Sequence, residues 1–205
     1  MPTPLVSPVK SAIFCILILT GCAASCKRAG SEAVVLNPAS AAAVKTQFDV
    51  LRDSVNVKWN TMTASDDQRI GVTRMLLHEL KGRAGMDAAQ LKGLESANAK
   101  LKTRRYSQQT MASSDLIDQY DTAQDSLMRA LMPVAAPNGT APTEAARNYV
   151  EGLQQLDAGV IGYRVQYDQA ARQYNDYLKL HQAELESLGG KYAKLKPLPL
   201  FELQH

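Results

Sequence analysis

The chain has 205 residues, of which 45% are hydrophobic and 21% are charged, and this is enough for one domain with a hydrophobic core. Its formal net charge of +3 lacks the strong basic excess that is typical of nucleic-acid-binding proteins, so we expect no nucleic acid as a partner. Composition and charge thus exclude one large class of function and leave the others open.

The first element is an apolar N-terminal segment, SAIFCILILTGC, at residues 11–22. Its apolar run of about eight residues is far shorter than the roughly twenty that a helix needs to cross a bilayer. Lys10 precedes the run and small residues follow it, which is typical of a secretory signal peptide. The ending Leu19-Thr20-Gly21-Cys22 resembles the lipobox of bacterial lipoproteins, in which the thiol carries a diacylglyceryl group and the chain is cut before the cysteine.

We therefore expect residues 1–21 to be a cleaved lipoprotein signal peptide and Cys22 to be the lipid attachment site. An ordinary signal peptide that contains cysteines and an uncleaved apolar anchor stay open as alternatives. Several acyl chains would hold the protein at a membrane almost permanently, because each buried methylene contributes about 0.8 kcal/mol. Residues 22–38 indicate a flexible tether. Cys26 within it is left as a free thiol, an intermolecular bridge or an idle linker residue, since Cys15 leaves with the signal.

The residue after the lipid-bearing cysteine indicates the membrane. Ala23 stands there, and by resemblance to Gram-negative lipoproteins the absence of an aspartate favours the outer membrane, facing the periplasm, over retention in the inner membrane. This expectation applies only to a source with two membranes.

The folded domain is predicted to span residues 39–205 and to be helical. Apolar residues from Val44 to Met62 recur at steps of three and four, which places them on one face of a helix. Ala64-Ser65-Asp66-Asp67 offers an N-cap and an acidic first turn, so we expect a helix to restart or bend there. That helix should end near Gly82 or Gly85.

Two further helices are predicted before residue 133. Asp87 can cap the first of them, and Ser113-Ser114-Asp115 can open the second. A single long helix with a polar middle is the alternative. The run PVAAPNGTAP, residues 133–142, contains three prolines and should interrupt the helices.

The last helix has a sustained heptad pattern, which predicts one rod from Pro142 to Gly189-Gly190. About 46 residues give a length on the order of 70 Å, and a helix so long needs long partners. Because no segment alternates like a strand, the predicted fold class is an all-α antiparallel bundle of three to four long helices with coiled-coil-like packing. The heptad positions are Leu153, Leu156, Val160, Tyr163, Tyr167, Ala170, Tyr174, Tyr177 and His181.

Four tyrosines of this pattern form a candidate partner-binding surface, which we name the tyrosine stripe: Tyr163, Tyr167, Tyr174 and Tyr177. A tyrosine ring buries apolar area while its hydroxyl requires a polar partner or water. The stripe is therefore either an exposed binding surface or a packed interior whose hydroxyls reach the margin.

Four stretches of the chain share a family pattern: VNVKWN at 55–60, QRIGVTRMLLHELKG at 68–82, YRVQYDQAARQYND at 163–176 and KPLPLFE at 196–202. Together they resemble the LemA family, helical proteins of the bacterial envelope, from about Val44 to Glu202. The resemblance implies a helical fold and an envelope location, but no reaction, because the family has none established. Arg74 and Met75 stand where the family has proline and asparagine, which predicts a straighter helix here.

No catalytic pattern is recognisable in the sequence. His78-Glu79 begins a zinc-protease-like motif, but Gly82 stands where the second histidine would be needed. We interpret His181 as a packing residue of the heptad pattern. Asp66-Asp67 is explained as a helix start by capping and the helix dipole. We therefore expect a protein that is not an enzyme and that has no cofactor and no metal site.

Anchor, tether and long helices together predict a lipid-anchored scaffold or adaptor that brings an envelope protein partner to the membrane surface. Self-association into an oligomer stays open. The alternative is a binding module for an envelope ligand, a lipid or a peptidoglycan fragment, that uses the tyrosine-rich helix face.

Overall fold

A computed structural model of the chain describes residues 40–136 and 141–201. The predicted signal peptide at 1–21, the tether at 22–38, Cys22 and Cys26 lie outside the described residues. The described part is all-α, as predicted, and none of its helices combines the length and apolar character that a bilayer span requires. The helices are α1 Ala41–Lys81, α2 Ala88–Arg104, α3 Ser114–Ala135, α4 Glu144–Leu180 and α5 Gln182–Ser187, followed by a 3-10 turn at Tyr192–Lys194.

The two longest helices, α1 and α4, form an antiparallel pair of 41 and 37 residues, and theirs is the most extensive interface between helices. At one end, Thr143 Oγ1 donates to Glu79 Oε1 at 2.9 Å. Near the other end, the Tyr177 hydroxyl donates to the Val44 carbonyl at 3.4 Å. At 1.5 Å rise per residue each helix is about 55 to 60 Å long. The long helix α4 thus packs against a partner of similar length, as predicted.

Helix α2 packs against α1 and against α3. Helix α3 also contacts α4, and its Gln124 accepts a hydrogen bond from Arg69 of α1. α2 is antiparallel to α1, because Glu95 pairs with Lys81 while Arg105, just past the end of α2, donates to the Thr63 carbonyl. A buried amide, Asn98, donates to the Ile70 carbonyl at 3.0 Å between these contacts. The four helices thus form a bundle, as predicted.

The hydrophobic core follows the predicted helix faces. Side chains from all four helices are buried at positions that the three- and four-residue spacing indicated. Among them are Val44, Phe48, Val55, Met62, Leu91, Leu94, Leu101, Tyr120, Leu127, Leu131 and Leu153. Ala97 of the predicted α2 face is exposed.

The prediction that a helix restarts at Ala64–Asp67 is wrong, because α1 continues through these residues to Lys81. Asp66 is buried inside the bundle rather than capping a helix, and Arg69, Arg105 and Arg164 surround it with positive charge. No proline interrupts residues 41–81, so the backbone hydrogen bonds of α1 continue. Arg74 lies within this uninterrupted helix.

The prediction of one rod from Pro142 to Gly190 is also wrong in its second part. α4 starts as predicted, with Thr143 Oγ1 accepting from the Ala146 N–H, but it ends at Leu180. His181 leaves the helical conformation, and the short α5 that follows buries Leu185. Tertiary burial of α5 thus outweighs the continuity that the heptad pattern predicted.

The connections settle the remaining alternatives. α2 and α3 are separate helices, because Arg105 is extended and Ser107 and Thr110 form a turn through mutual side-chain–backbone hydrogen bonds. Asp87 caps α2 as predicted, with Oδ1 accepting from the N–H groups of Ala89 and Gln90. α3 passes its Pro133 and ends at Ala135, so the interruption begins slightly later than predicted.

Candidate functional site

The tyrosine stripe lies mostly inside the chain's own packing. Tyr167, Tyr174 and Tyr177 are buried, and burial raises the pKa of each hydroxyl. Tyr163 is half-buried and lies over Gly159, whose added Cβ would be 3.3 Å from the ring. Three of the four rings therefore fit the packed-interior interpretation better than an exposed binding surface.

The stripe helps to hold the end of the described chain. Residues 195–201, which we name the C-terminal strap, form neither helix nor strand and lie along α4. The Tyr167 hydroxyl donates to the Pro199 carbonyl at 3.2 Å. Asn175 pairs with both backbone groups of Leu198: its Oδ1 accepts from the N–H at 2.7 Å and its Nδ2 donates to the carbonyl at 2.8 Å. α4 therefore recognises the strap through backbone atoms.

The strap ends in an aromatic cluster. Phe201 is buried, its N–H donates to Asp168 Oδ1 at 2.8 Å, and its ring contacts Tyr106 and Tyr167 edge to face, each with centroids 5.7 Å apart. The Arg164 guanidinium lies 5.0 Å from the centroid of the Phe201 ring. This is a pocket with aromatic walls and a cationic cover.

Arg164 is fixed in place by a bidentate ion pair. Its two terminal nitrogens donate to the Asp121 carboxylate at 2.7 and 2.8 Å, and Nη2 also donates to the Tyr106 hydroxyl at 3.3 Å. Burial raises the pKa of Tyr106 to about 12, so its hydroxyl keeps its proton at neutral pH. Arg164, on α4, therefore links the strap to α3.

A second polar group lies in the interior of the bundle, and we name it the polar core: Asp66, Arg69, Tyr120 and Gln124. Arg69 donates to Asp157 Oδ1 at 2.9 Å and to Gln124 Oε1. Arg69 Nε, the Tyr120 hydroxyl and Gln124 Nε2 have no partner at hydrogen-bond distance. The Tyr120 hydroxyl nonetheless lies near enough to Asp66 to lower the pKa of the Asp66 carboxyl.

The net effect of the surroundings is to make Asp66 a weaker acid. Burial raises the pKa of Asp66, while the charges of Arg69 and Arg105 and the Tyr120 hydroxyl act in the opposite direction without compensating fully. A buried group of polar side chains between helices can in principle transfer protons or hold an ion. The described residues, however, bring together no group of three or more metal-binding side chains.

Replacing Asp66 with asparagine is expected to flatten the pH dependence of stability. The folded pKa lies above the roughly 3.9 of an unfolded aspartate, so the folded state binds the proton more strongly, and this stabilisation is lost as pH rises through the folded pKa. Urea unfolding from about pH 4 to 7 should therefore give a smaller loss of free energy of unfolding in Asp66→Asn than in the wild type.

Asp49→Asn is the control of opposite sign. The Lys45 hydrogen bond lowers the pKa of Asp49, so its contribution is present above pH about 3.9 and is lost as pH falls through the folded pKa. The Asp49→Asn protein should approach wild-type stability in acid. Parallel curves for wild type and Asp66→Asn would contradict the raised pKa.

The histidines take no catalytic arrangement in the described residues. His181 is buried, as a packing residue would be, and its ring lies 4.4 Å from that of Tyr177, while its Nδ1 is 3.6 Å from Glu184. His78 is exposed on α1 beside Glu79. His205 lies outside the described residues.

A groove of about 950 Å³ opens between α2 and α3. Its wall combines Leu94, Leu116 and Leu127 with polar Gln119 and Thr122. Its lining residues belong to α2 and α3 and none to α4, so it lies away from the tyrosine stripe.

Sequence reasoning missed the polar core and the path of the strap. The sequence did contain a signal for the polar core. Gln124 lies between Tyr120 and Leu127, at a position where the spacing of the apolar face of α3 calls for an apolar residue. Arg69 and Thr73 interrupt the apolar face of α1 in the same way. No local signal pairs Asn175 with Leu198, because the two residues are far apart in sequence.

Comparison with known proteins adds no assignment: the chain matches no family model, no curated protein and no solved structure.

Proposed function

We propose that this chain is a lipid-anchored protein of the bacterial envelope, of LemA-like type, whose helical bundle acts as a non-catalytic scaffold or adaptor at the membrane surface. The observation that carries the proposal is the lipobox-like Leu19-Thr20-Gly21-Cys22 at the end of a short apolar run. Cleavage before Cys22 and acylation there would attach the chain to the outer membrane, on the periplasmic side, if the source has two membranes.

The length of chain between the proposed anchor and the bundle is compatible with an adaptor. The first described helix begins at Ala41, and the stretch from Cys22 to this residue could reach at most about 65 Å when fully extended. A tether of this kind lets a rigid body search the membrane surface for a partner. Lys27 and Arg28 would add about 1 kcal/mol each near an anionic leaflet, which is small beside the lipid.

Two of the stretches behind the resemblance to LemA proteins can be located in the fold. Tyr167, Asp168 and Asn175 of the stretch 163–176 hold residues 198–201, which belong to the stretch 196–202. The family-like residues thus account for one surface of the bundle.

The proposal is tested by replacing Cys22 with serine. The wild-type protein isolated from cells should have a mass that corresponds to cleavage before Cys22 plus acyl groups, and it should fractionate with membranes. The Cys22→Ser protein should lose the acyl mass and the membrane fraction together, because a chain without acyl groups has no anchor.

Cys26→Ser is the matched control and should behave as the wild type. A Cys22→Ser protein that keeps its intact N-terminus and stays in the membrane would identify residues 11–22 as an uncleaved anchor and overturn the lipoprotein assignment. Crosslinking in intact envelopes then tests the adaptor role: recovery of the protein alone, under conditions that preserve other envelope complexes, would contradict it.

A further inference from the structure

The way α4 holds the C-terminal strap is that of a peptide-binding site. Four hydrogen bonds join side chains of α4 to the strap backbone. Two connect Asn175 with the N–H and carbonyl of Leu198, the Tyr167 hydroxyl donates to the Pro199 carbonyl, and the Phe201 N–H donates to Asp168. These contacts use the main chain, which every peptide has, and leave selectivity to the side chains.

The geometry requires an extended ligand. From Asn175 to Asp168 the helix advances by about 10 Å, at 1.5 Å per residue. The strap covers the same distance from Leu198 to Phe201, in three residues, which only an extended backbone can do. Pro197 and Pro199 favour this conformation, because a proline ring holds φ near −65° and restricts the residue before it.

Selectivity comes from the aromatic pocket. The Phe201 ring is enclosed by Tyr106, Tyr167 and the Arg164 guanidinium, and Arg164 is held there by Asp121. An aromatic side chain three residues after the one that pairs with Asn175 can fill this pocket. The combination of backbone contacts with one buried aromatic anchor is typical of recognition of a short linear segment.

We propose that this face of α4 is a binding site for an extended proline-containing segment with an aromatic anchor, and that the strap occupies it as an intramolecular ligand. A segment of the same chemistry on a partner protein then binds by displacing the strap. The site would supply the partner recognition of the adaptor proposed above, and its biological meaning rests on that proposal.

The strap is covalently linked to the bundle, so it competes strongly with any free peptide. The strap must therefore be weakened before a free peptide can bind at low concentration. A covalently linked ligand competes at an effective concentration in the millimolar range. Phe201→Ala removes the anchor ring and should open the site without touching α4 itself.

The experiment measures binding of a labelled peptide, residues 194–201 with both ends blocked, to the full-length detergent-solubilised Phe201→Ala protein by fluorescence anisotropy. Saturable binding is expected, and it should be about tenfold or more tighter than to the wild type, whose site is occupied. Trp59, the chain's one tryptophan, contacts Tyr167 with centroids 5.4 Å apart and gives a second, label-free signal.

Two variants in the Phe201→Ala background locate the binding. Asn175→Ala removes both contacts to Leu198 and should weaken binding about tenfold or more, whereas Arg172→Ala, exposed on the same helix, should leave it unchanged. A peptide whose phenylalanine is replaced with alanine should bind at least tenfold more weakly.

Three results would overturn the proposal: no saturable binding to a Phe201→Ala protein with wild-type helix content, equal affinity for the wild type, or no effect of Asn175→Ala. A concentration-dependent dimer of the wild type that Asn175→Ala abolishes would support it, with a second copy as the source of the segment. The acyl anchor plays no part in these measurements, so failure here leaves the Cys22 result intact, and the converse also holds.

Discussion

Replacing Arg69 with methionine is expected to lower the free energy of unfolding by about 1–3 kcal/mol, the usual cost of leaving a buried hydrogen-bonding group without its partner. Arg69 is buried, it contributes positive charge beside the buried Asp66, and it donates to Gln124 and Asp157. Methionine can fill much of the volume but leaves the Gln124 oxygen without its donor. Urea unfolding followed by circular dichroism measures the loss.

Arg74→Met is the matched control, because Arg74 is exposed on the same helix, and its effect should stay within about 0.5 kcal/mol. Adding Asp66→Asn to Arg69→Met should restore part of the stability, since the uncompensated carboxylate is then gone. Additive effects of the two substitutions would contradict direct coupling between Asp66 and Arg69.

Replacing Phe48 with alanine is expected to cost about 3–5 kcal/mol. Phe48 is fully buried where α1, α4 and the 3-10 turn meet, and its ring packs against Tyr174 and Tyr192 with centroids 4.8 and 6.3 Å apart. Alanine leaves a cavity and removes both ring contacts, so the loss exceeds the transfer of the ring alone. The midpoint of urea unfolding should fall accordingly.

Val50→Ala provides the comparison, because Val50 is 57% exposed two residues further along the same helix. Its effect should lie within about 0.5 kcal/mol. If Phe48→Ala and Val50→Ala lowered stability equally, the junction of α1, α4 and the 3-10 turn could not be packed as described.

The helical fold could be predicted because its signal is local. Apolar residues spaced by three and four determine which face of a helix is buried, and Phe48, Val55, Leu94 and Leu127 are buried accordingly. The cap at Asp87 depends on residues only two or three positions away, and it was predicted correctly.

The same local reasoning failed where distant residues decide the outcome. Asp66 was assigned to a helix start from its neighbours in sequence, but the arginines around it come from α1, from the end of α2 and from α4, and they make a mid-helix position tolerable. The break at His181 likewise follows from the burial of Leu185 in α5, which the heptad pattern does not describe.

The candidate binding surface shows the same division. The tyrosines could be placed on one face of a helix from their spacing, whereas their burial by α1 and by the strap could not, because it depends on contacts across long stretches of chain. Local periodicity and capping chemistry therefore determined where the helices form. The tertiary structure determined which residues make up the polar core, where α4 ends and where the strap binds. Side chains far apart in sequence compensate each other's charges and hydrogen bonds only after the chain has folded.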